Sequence, residues 1–321
     1  QNPTPLHNRY FILKLNFSVV NPEGDHAAIR RALYENINDE IRAFNQRYPD
    51  HLPQAVEVNE ENAVSSLRRL LTVISQTPYK LYVLIDEYDN FANAVMISPL
   101  HCANRYEQLV EGEGVIKTFF KALKDGAEGR GIDRVFLTGV SPVVLSDMTS
   151  GYNVTEDLSV DPDYRDLCGF TETELRAVLD QIAVAHHLDT VQVETALGLM
   201  RDFYNGYRFS FQQDERIYNP TLALYFLKHL VRHGEYPARL LDENLAMDRN
   251  RIQYVARLPH GETLINRALN PAEPLTISQL VNRFGVQDML TAPKNPDFLA
   301  TLLYYFGVLT LAGRDAMGKL Q

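Results

Sequence analysis

The sequence predicts an α/β protein in which a layered parallel sheet is followed by a mostly helical part. Three apolar segments with strand character alternate with amphipathic helical segments before residue 140, which is the pattern of a parallel sheet covered by helices. From Thr171 onward the apolar residues recur at helical spacing instead. We place the boundary near Gly169, with an α/β core over residues 1–169 and a helical region over residues 170–321.

Composition and charge narrow the class of protein. The chain has 321 residues, 45% of them hydrophobic and 22% charged, which is ordinary for a soluble globular protein with two domains. A net charge of -10 argues against a protein that coats nucleic acid or an anionic membrane through its overall field. Only two cysteines occur, and no apolar run approaches the roughly 18 residues that a membrane span needs. We therefore expect a cytoplasmic protein with no membrane partner.

Strand and helix signals alternate in the core. Apolar residues at helical spacing separate the three strand segments, and capping residues mark several helix ends. The predicted elements are a strand over residues 10–17, a helix with Asp25 as its N-cap, a helix from about Glu60 to Pro78, a strand over Tyr79–Asp86, a helix closed by Gly126, and a strand over Asp133–Val140.

The helical region has recognisable caps and a distinct end. Thr171–Glu174 has the pattern of a capping box, and Asn219-Pro220 has the pattern of an N-cap followed by a first-turn proline. Near the end, two short helices over Leu275–Phe284 and Pro296–Tyr305 and a strand over Val308–Leu311 suggest a winged-helix-like module. Such a module could read DNA or pack as part of an α-helical lid. Few basic residues lie near its turn, which favours the lid.

The strand over Tyr79–Asp86 ends abruptly in two adjacent carboxylates, Asp86 and Glu87. Ligand sites in open α/β sheets lie just beyond the carboxyl ends of such strands. In P-loop NTPases a strand-end Asp helps to hold the Mg²⁺ that bridges the nucleotide phosphates, and a neighbouring carboxylate can orient the attacking water. Acidic residues can also simply terminate a strand, since they are common in turns. Taken alone, the pair leaves both interpretations open.

The next strand favours the nucleotide site. It ends in Thr138, Gly139 and Ser141, and small hydroxyl residues at the tip of a neighbouring strand could sense a γ-phosphate or its attacking water. We therefore predict a P-loop NTPase-like core with ATP and Mg²⁺ as cofactors. Asp86 is the predicted metal ligand, Glu87 and Thr138 are the predicted catalytic residues, and Ser141 is a predicted nucleotide contact.

Three further candidates lie elsewhere in the chain. Asp89 falls beyond the predicted strand, so a solvated turn residue is favoured over a role beside Asp86. Arg208 could reach the γ-phosphate as a lid-borne arginine, although an exposed or carboxylate-paired arginine is the safer interpretation. Gly313–Leu320 matches the phosphate-loop pattern up to its last position, but Leu320 has no hydroxyl to offer Mg²⁺. We predict a β-hairpin there.

The chain resembles the AAA-ATPase-like family, P-loop proteins that often carry a PD-(D/E)XK nuclease-like domain behind the ATPase module. The resemblance rests on four segments in the family's order: Leu84–Phe91, Phe136–Pro142, Leu167–Glu174, and Phe203–Ser210 followed by Tyr218-Asn-Pro220. It implies an ATP-binding and ATP-hydrolysing module. It also implies coupling to a nucleic-acid-processing domain, so the expected partners are a nucleotide and, through that domain, nucleic acid.

One departure from the family concerns the phosphate-binding loop. The family has a Gly-rich loop ending in Gly-Lys-Ser ahead of the first strand, and residues 1–9 contain none. We therefore expect an incomplete ATPase, with that loop and the nuclease-like domain outside residues 1–321. A non-hydrolysing scaffold that keeps the ATPase fold and docks partners on its helical part stays the alternative. The oligomeric state is open, and a homo-oligomer is one of its options.

Overall fold

The computed structural model divides the chain into two compact units. These are Gln1–Thr155 with Asn282–Pro293, and Glu156–Val281 with Lys294–Gln321. The structure describes residues 4–21, 26–89, 115–140, 156–212, 215–241, 249–270, 274–281, 284 and 293–321. The domain boundary near Gly169 stays a prediction from the sequence.

The described part of the first unit contains a three-stranded parallel sheet whose order is β1-β2-β3, with β2 in the centre. Two helices lie between β1 and β2 in the chain, and a third precedes β3. The elements are β1 Tyr10–Asn16, α1 His26–Arg47, α2 Ala63–Ile74, β2 Lys80–Asp86, α3 Val115–Ala127 and β3 Ile132–Leu137. The predicted α/β class with a parallel sheet is confirmed, and the arrangement is consistent with a Rossmann-like core.

The central strand β2 is buried unequally on its two faces. Leu81, Val83 and Ile85 are at most 1% exposed, whereas Leu84 and Asp86, which alternate with them, are only partly buried. Side chains in a strand alternate between faces, so the apolar run buries one face fully and the other in part. Asp86 therefore lies on the face that keeps contact with solvent.

The helices of the first unit pack through the apolar stripes that the sequence predicts. On α1 these residues are all at most 5% exposed: Ile29, Leu33, Ile37, Ile41 and Phe44. The predicted N-cap Asp25 lies outside the described residues. Helix α2 begins after Asn62 rather than near Glu60, because the Asn62 side chain accepts a hydrogen bond from Ser65 N at 3.1 Å and so caps the first turn.

Gly126 lies inside α3 and does not end it, so the prediction of a C′ glycine is wrong. A Cβ at this position would lie 2.6 Å from Ile132 Cδ1 and 2.8 Å from Leu71 Cδ1. Separations of that size are far below van der Waals contact, so a side chain at this position would force the Ile132 and Leu71 side chains to move. Packing between elements, and not helix termination, accounts for this glycine.

Among its described residues, the second unit is mainly helical and contains a short antiparallel pair of strands. Its elements are α4 Glu172–His186, α5 Thr190–Tyr204, β4 Asn205–Tyr207, β5 Ile217–Tyr218, α6 Pro220–His233, α7 Arg249–Arg257, α8 Gly261–Ala268 and α9 Pro296–Tyr305. The capping box is confirmed, since Thr171 N donates to Glu174 Oε2 and Glu174 N donates to Thr171 Oγ1. Asn219 caps α6 as predicted, because its side chain accepts from Leu222 N at 3.1 Å.

The strands β4 and β5 bring together Phe203–Ser210 and Tyr218-Asn-Pro220, two of the segments on which the family resemblance rests. Asn205 pairs with Tyr218, and Asn219 N donates to Tyr204 O at 2.9 Å. Tyr218 is fully buried in the core shared by α4, α5 and α6, and its hydroxyl donates to Glu172 Oε2 at 2.8 Å. These segments therefore hold the helical unit together.

The end of the chain differs from the winged-helix-like prediction. Residues 274–281 are not helical, because Ile277 N donates to Leu320 O and Leu320 N to Ile277 O, both at 2.9 Å. The β-branched pair Thr276 and Ile277 suits this extended pairing better than a helix. Helix α9 has the predicted bounds, but residues 308–311 form no strand.

The β-hairpin predicted at Gly313–Leu320 is confirmed. Arg314 bridges to Leu320, and Gln321 N donates to Gly313 O at 2.9 Å. Within the part of the chain that is described, no helix combines the length and the apolar character that crossing a bilayer requires.

Candidate functional site

Asp86 and Thr138 meet at the carboxyl ends of two neighbouring strands. Asp86 ends β2, Thr138 directly follows β3, and Thr138 Oγ1 donates to Asp86 Oδ1 at 2.6 Å. Thr138 N also donates to Ile85 O at 2.8 Å, so the hydroxyl is held in register with the carboxylate. The short distance is typical of a hydroxyl bonded to an ionised acceptor. The structure thus brings together two of the predicted site residues.

Glu87 adopts a backbone conformation that few side chains favour. Its φ is 53°, in the left-handed region that costs a residue with a Cβ roughly 1–2 kcal/mol. The peptide groups around it are fixed, since Thr138 N donates to Ile85 O and Tyr88 N donates to Thr138 O at 3.1 Å. Strained residues that the surrounding structure holds in place cluster at functional sites. Glu87 is therefore held in a turn directly beside Asp86.

Asp89 is buried, so the prediction of a solvated turn residue is wrong. It is 1% exposed, and its Oδ1 accepts a hydrogen bond from Val140 N at 3.1 Å. The prediction assumed that the chain continues straight beyond Asp86. The left-handed turn at Glu87 instead lays Tyr88 and Asp89 alongside the tip of β3.

Gly139 lies between Thr138 and Val140 where the two strand tips approach most closely. A Cβ there would lie 2.4 Å from Asp89 Oδ1 and 2.6 Å from Tyr88 Cε1. Neither separation is possible for a real side chain, so glycine permits the contact.

Asn16 is a residue of this edge that sequence reasoning missed. It is the register partner of Asp86 in the pairing of β1 with β2, so the two side chains are on the same face. Its Oδ1 accepts from Ser18 N at 2.9 Å, which caps the short turn after β1. The sequence did contain a signal for Asn16, because it is a polar residue at the end of an apolar strand, as is Asp86. Polar side chains therefore end β1 and β2 and directly follow β3 at one edge of the sheet.

The two remaining predicted nucleotide contacts are Ser141 and Arg208. Ser141 lies outside the described residues. Arg208 follows β4 in the second unit, where its backbone N–H donates to Thr310 Oγ1 at 2.8 Å and Nη1 donates to Ala312 O at 3.1 Å. These bonds connect the end of β4 to the chain that follows α9. A contact of Arg208 with the nucleotide stays a prediction.

The side-chain groups at the strand tips that could bind a metal ion are oxygen atoms. Among the described residues, no group of three or more His, Cys, Asp or Glu side chains is arranged to hold a metal ion. Mg²⁺ does not need such a cage, since it usually keeps several waters and takes one or two carboxylates together with substrate phosphates. Asp86, partly exposed and with Oδ1 fixed by Thr138, fits that kind of site.

Comparison with known proteins connects this site to a family. Residues 1–149 match the family model for AAA-ATPase-like proteins, described as a predicted AAA-ATPase, so the resemblance inferred from the sequence is confirmed over this range. A protein of Azotobacter chroococcum mcd 1, described as an uncharacterized protein in the vnfD 5′ region, is 30% identical over 154 residues, or 48% of this chain. The matched stretch spans 26% of that relative's length. No solved structure matches this chain significantly.

Proposed function

Because residues 1–149 match the family model for AAA-ATPase-like proteins, we propose that the first unit is part of an ATP-binding module that hydrolyses ATP with Mg²⁺. The observation that carries the proposal is the 2.6 Å hydrogen bond from Thr138 Oγ1 to Asp86 Oδ1 at the carboxyl ends of two neighbouring strands. In P-loop NTPases a strand-end Asp helps to hold the Mg²⁺ that bridges the nucleotide phosphates. We assign Asp86 to that role and the Thr138 hydroxyl on the next strand to sensing the γ-phosphate.

Each residue at the strand tips then has a distinct task. Asp86 would be the carboxylate ligand to Mg²⁺, which when bound offsets the charge of the phosphates. Glu87, an acceptor-only carboxylate when ionised, would hold the attacking water by its hydrogens. Thr138 has a single hydroxyl proton, so it donates either to Asp86 or to a phosphate oxygen, and this choice lets it sense the γ-phosphate.

Ser141 and Arg208 are proposed as further nucleotide contacts on sequence grounds alone. We propose in addition that the module works in the cytoplasm and is coupled to a nucleic-acid-processing domain outside residues 1–321. The support for that coupling is the family resemblance, and the support for the compartment is the low cysteine content.

The test replaces Glu87 in the full-length protein. We expect Glu87→Gln to lower kcat by roughly 100-fold or more, because an amide cannot accept the water's proton, while ATP binding is retained. Glu128→Gln is the matched control, since Glu128 is an exposed glutamate of the same unit that follows α3. Unchanged turnover in Glu87→Gln would remove Glu87 from the mechanism.

A calorimetric titration of the same protein with ATP and Mg²⁺ separates this proposal from a non-hydrolysing scaffold. We expect heat that saturates at micromolar ATP and disappears when Mg²⁺ is chelated. A protein that binds no nucleotide under these conditions would leave the scaffold as the better account.

A further inference from the structure

Asp89 is a buried acidic residue to which the mechanism above gives no task. Burying a carboxylate away from water is costly unless its oxygens find hydrogen-bond donors. One such donor is the backbone N–H of Val140, 3.1 Å from Asp89 Oδ1. An apolar side chain would fill the same space without that cost but could not accept this bond. The residue type therefore fits the bond to Val140 better than it fits simple packing.

The surroundings of Asp89 are shaped around the same contact. Gly139 leaves room for Asp89 Oδ1, which would lie 2.4 Å from a Cβ at that position. The Tyr88 ring, 8% exposed, would meet the same Cβ at 2.6 Å. Gly139, beyond β3, thus leaves the space that the Asp89 carboxylate, beyond β2, occupies.

The bond to Asp89 extends the hydrogen bonding between β2 and β3 past the ends of both strands. Thr138 N donates to Ile85 O, Tyr88 N donates to Thr138 O, and Val140 N donates to Asp89 Oδ1. A side-chain oxygen thus takes the place of a backbone acceptor in the third bond. Thr138 lies between the first bond and the last, so its backbone is held on both sides.

We propose that Asp89 is a positioning residue that, through Val140 and Gly139, fixes the tip of β3 so that Thr138 stays within reach of Asp86. The inference rests on the proposed ATPase function and adds to it a residue that acts through Thr138. Asp89 does not contact the nucleotide in this account. Its side chain sets where the Thr138 hydroxyl lies when hydrolysis begins.

The experiment measures kcat and the ATP dissociation constant of the full-length protein. A titration gives the fraction of molecules that bind nucleotide, and dividing kcat by this fraction gives a normalised kcat. We expect Asp89→Ala to lower this normalised kcat by roughly tenfold to hundredfold, because small displacements of a catalytic group are costly, with little change in ATP affinity. Asp89→Asn keeps an acceptor oxygen in the same place and should restore most of the rate. Asp50→Ala, at an exposed aspartate of the same unit, is the control.

A double-mutant cycle with Thr138→Val separates positioning from general stability. If Asp89 acts through Thr138, Asp89→Ala should lower kcat no further once the hydroxyl is absent. A purely structural role would instead reduce the binding-competent fraction in both backgrounds and leave the normalised kcat alone. Should Asp89→Ala fail to fold, Asp89→Leu, which lacks the acceptor but fills the space, replaces it in the cycle.

Two results overturn the role of Asp89 alone. The first is a normalised kcat of Asp89→Ala, or of Asp89→Leu where that variant is used, that equals the wild-type value. The second is a fold reduction in normalised kcat that is the same in the wild-type and Thr138→Val backgrounds. In both cases the proposed function would still be supported if the wild-type protein hydrolyses ATP and Glu87→Gln does not. A wild-type protein that neither binds nor hydrolyses ATP would overturn the function and the role of Asp89 with it.

Discussion

The backbone N–H of Tyr88, and not that of Glu87, donates to the carbonyl of Thr138 at 3.1 Å. In a regular parallel ladder Thr138 N bonds to Ile85 O and the N–H of Glu87 would bond back to Thr138 O. The shift by one residue leaves Glu87 looped out of the ladder, as in a β-bulge, with φ at 53°. The strain at Glu87 and the approach of Asp89 to β3 thus have one cause.

This geometry predicts that stability and activity separate at Glu87. Glycine adopts positive φ without a Cβ penalty but loses more backbone entropy on folding. We therefore expect Glu87→Gly to leave the free energy of unfolding unchanged or raise it by up to about 1 kcal/mol, while hydrolysis is lost. Urea denaturation and an ATPase assay on the same preparation measure both effects.

The matched control is Glu128→Gly, where the native φ is not positive. Only the entropic cost applies there, so we expect a loss of roughly 0.5–1 kcal/mol with normal turnover. A marked loss of stability in Glu87→Gly would mean that the Glu87 side chain stabilises the fold more than its backbone strains it.

The Thr138 hydroxyl provides a second prediction. Thr138→Val keeps the shape but removes the donor to Asp86 Oδ1, which should cost about 1 kcal/mol of stability. We also expect kcat to fall by roughly tenfold or more, because Asp86 loses its orienting bond and no hydroxyl remains to sense the γ-phosphate. Thr138→Ser retains the hydroxyl and should stay close to wild type. Equal turnover in the valine and serine variants would exclude a role for the hydroxyl.

The contact between Asp86 and Thr138 could be predicted because it depends only on a general property of parallel sheets. The carboxyl ends of neighbouring parallel strands meet at one edge, so polar residues that end two such strands become neighbours. Asn16 also ends a parallel strand, so the same property would have predicted it as a neighbour of Asp86. It was missed because the polar residue at the end of the first strand was not considered.

Asp89 could not be predicted in this way, because its position depends on the turn at Glu87. Glutamate gives no signal of a positive φ, unlike glycine or asparagine. The helix predicted over Leu275–Phe284 was wrong at residues 275–281 for a related reason. Ile277 pairs with Leu320, which is remote in sequence. Local propensity describes neither a strained turn nor a distant pairing.

Two helical glycines offer a paired test of packing. Gly126 in α3 has Ile132 Cδ1 and Leu71 Cδ1 within 2.8 Å of the position of a Cβ, whereas Gly198 in α5 has nothing within 4 Å. We expect Gly126→Ala to lower the free energy of unfolding by about 1–3 kcal/mol through overpacking. Gly198→Ala should raise it by about 0.5–1 kcal/mol through helix propensity. Chemical denaturation of both variants checks the signs, and stabilisation by Gly126→Ala would contradict the packing account.

The last prediction concerns the pH dependence of the second unit. Arg201 Nε and Nη2 donate to the two carboxylate oxygens of Glu172, and Tyr218 donates to the same carboxylate. The hydrogen bonds from Arg201 lower the pKa of Glu172 below its ordinary value near 4.5, with a smaller contribution from Tyr218. A lowered pKa stabilises the fold above the ordinary value, and this contribution is lost as the pH falls through the lowered pKa.

We therefore expect Arg201→Gln to raise the pKa of Glu172, measured by NMR titration of its side-chain carboxyl, and to reduce the stability lost between pH 5 and pH 3. The change in free energy should be at most about 1 kcal/mol, because both side chains are more than a third exposed and water screens the pair. Arg232→Gln, at the exposed end of α6, should leave the titration of Glu172 unchanged. A Glu172 pKa that stays low in Arg201→Gln would assign the shift to Tyr218 and Arg176 instead.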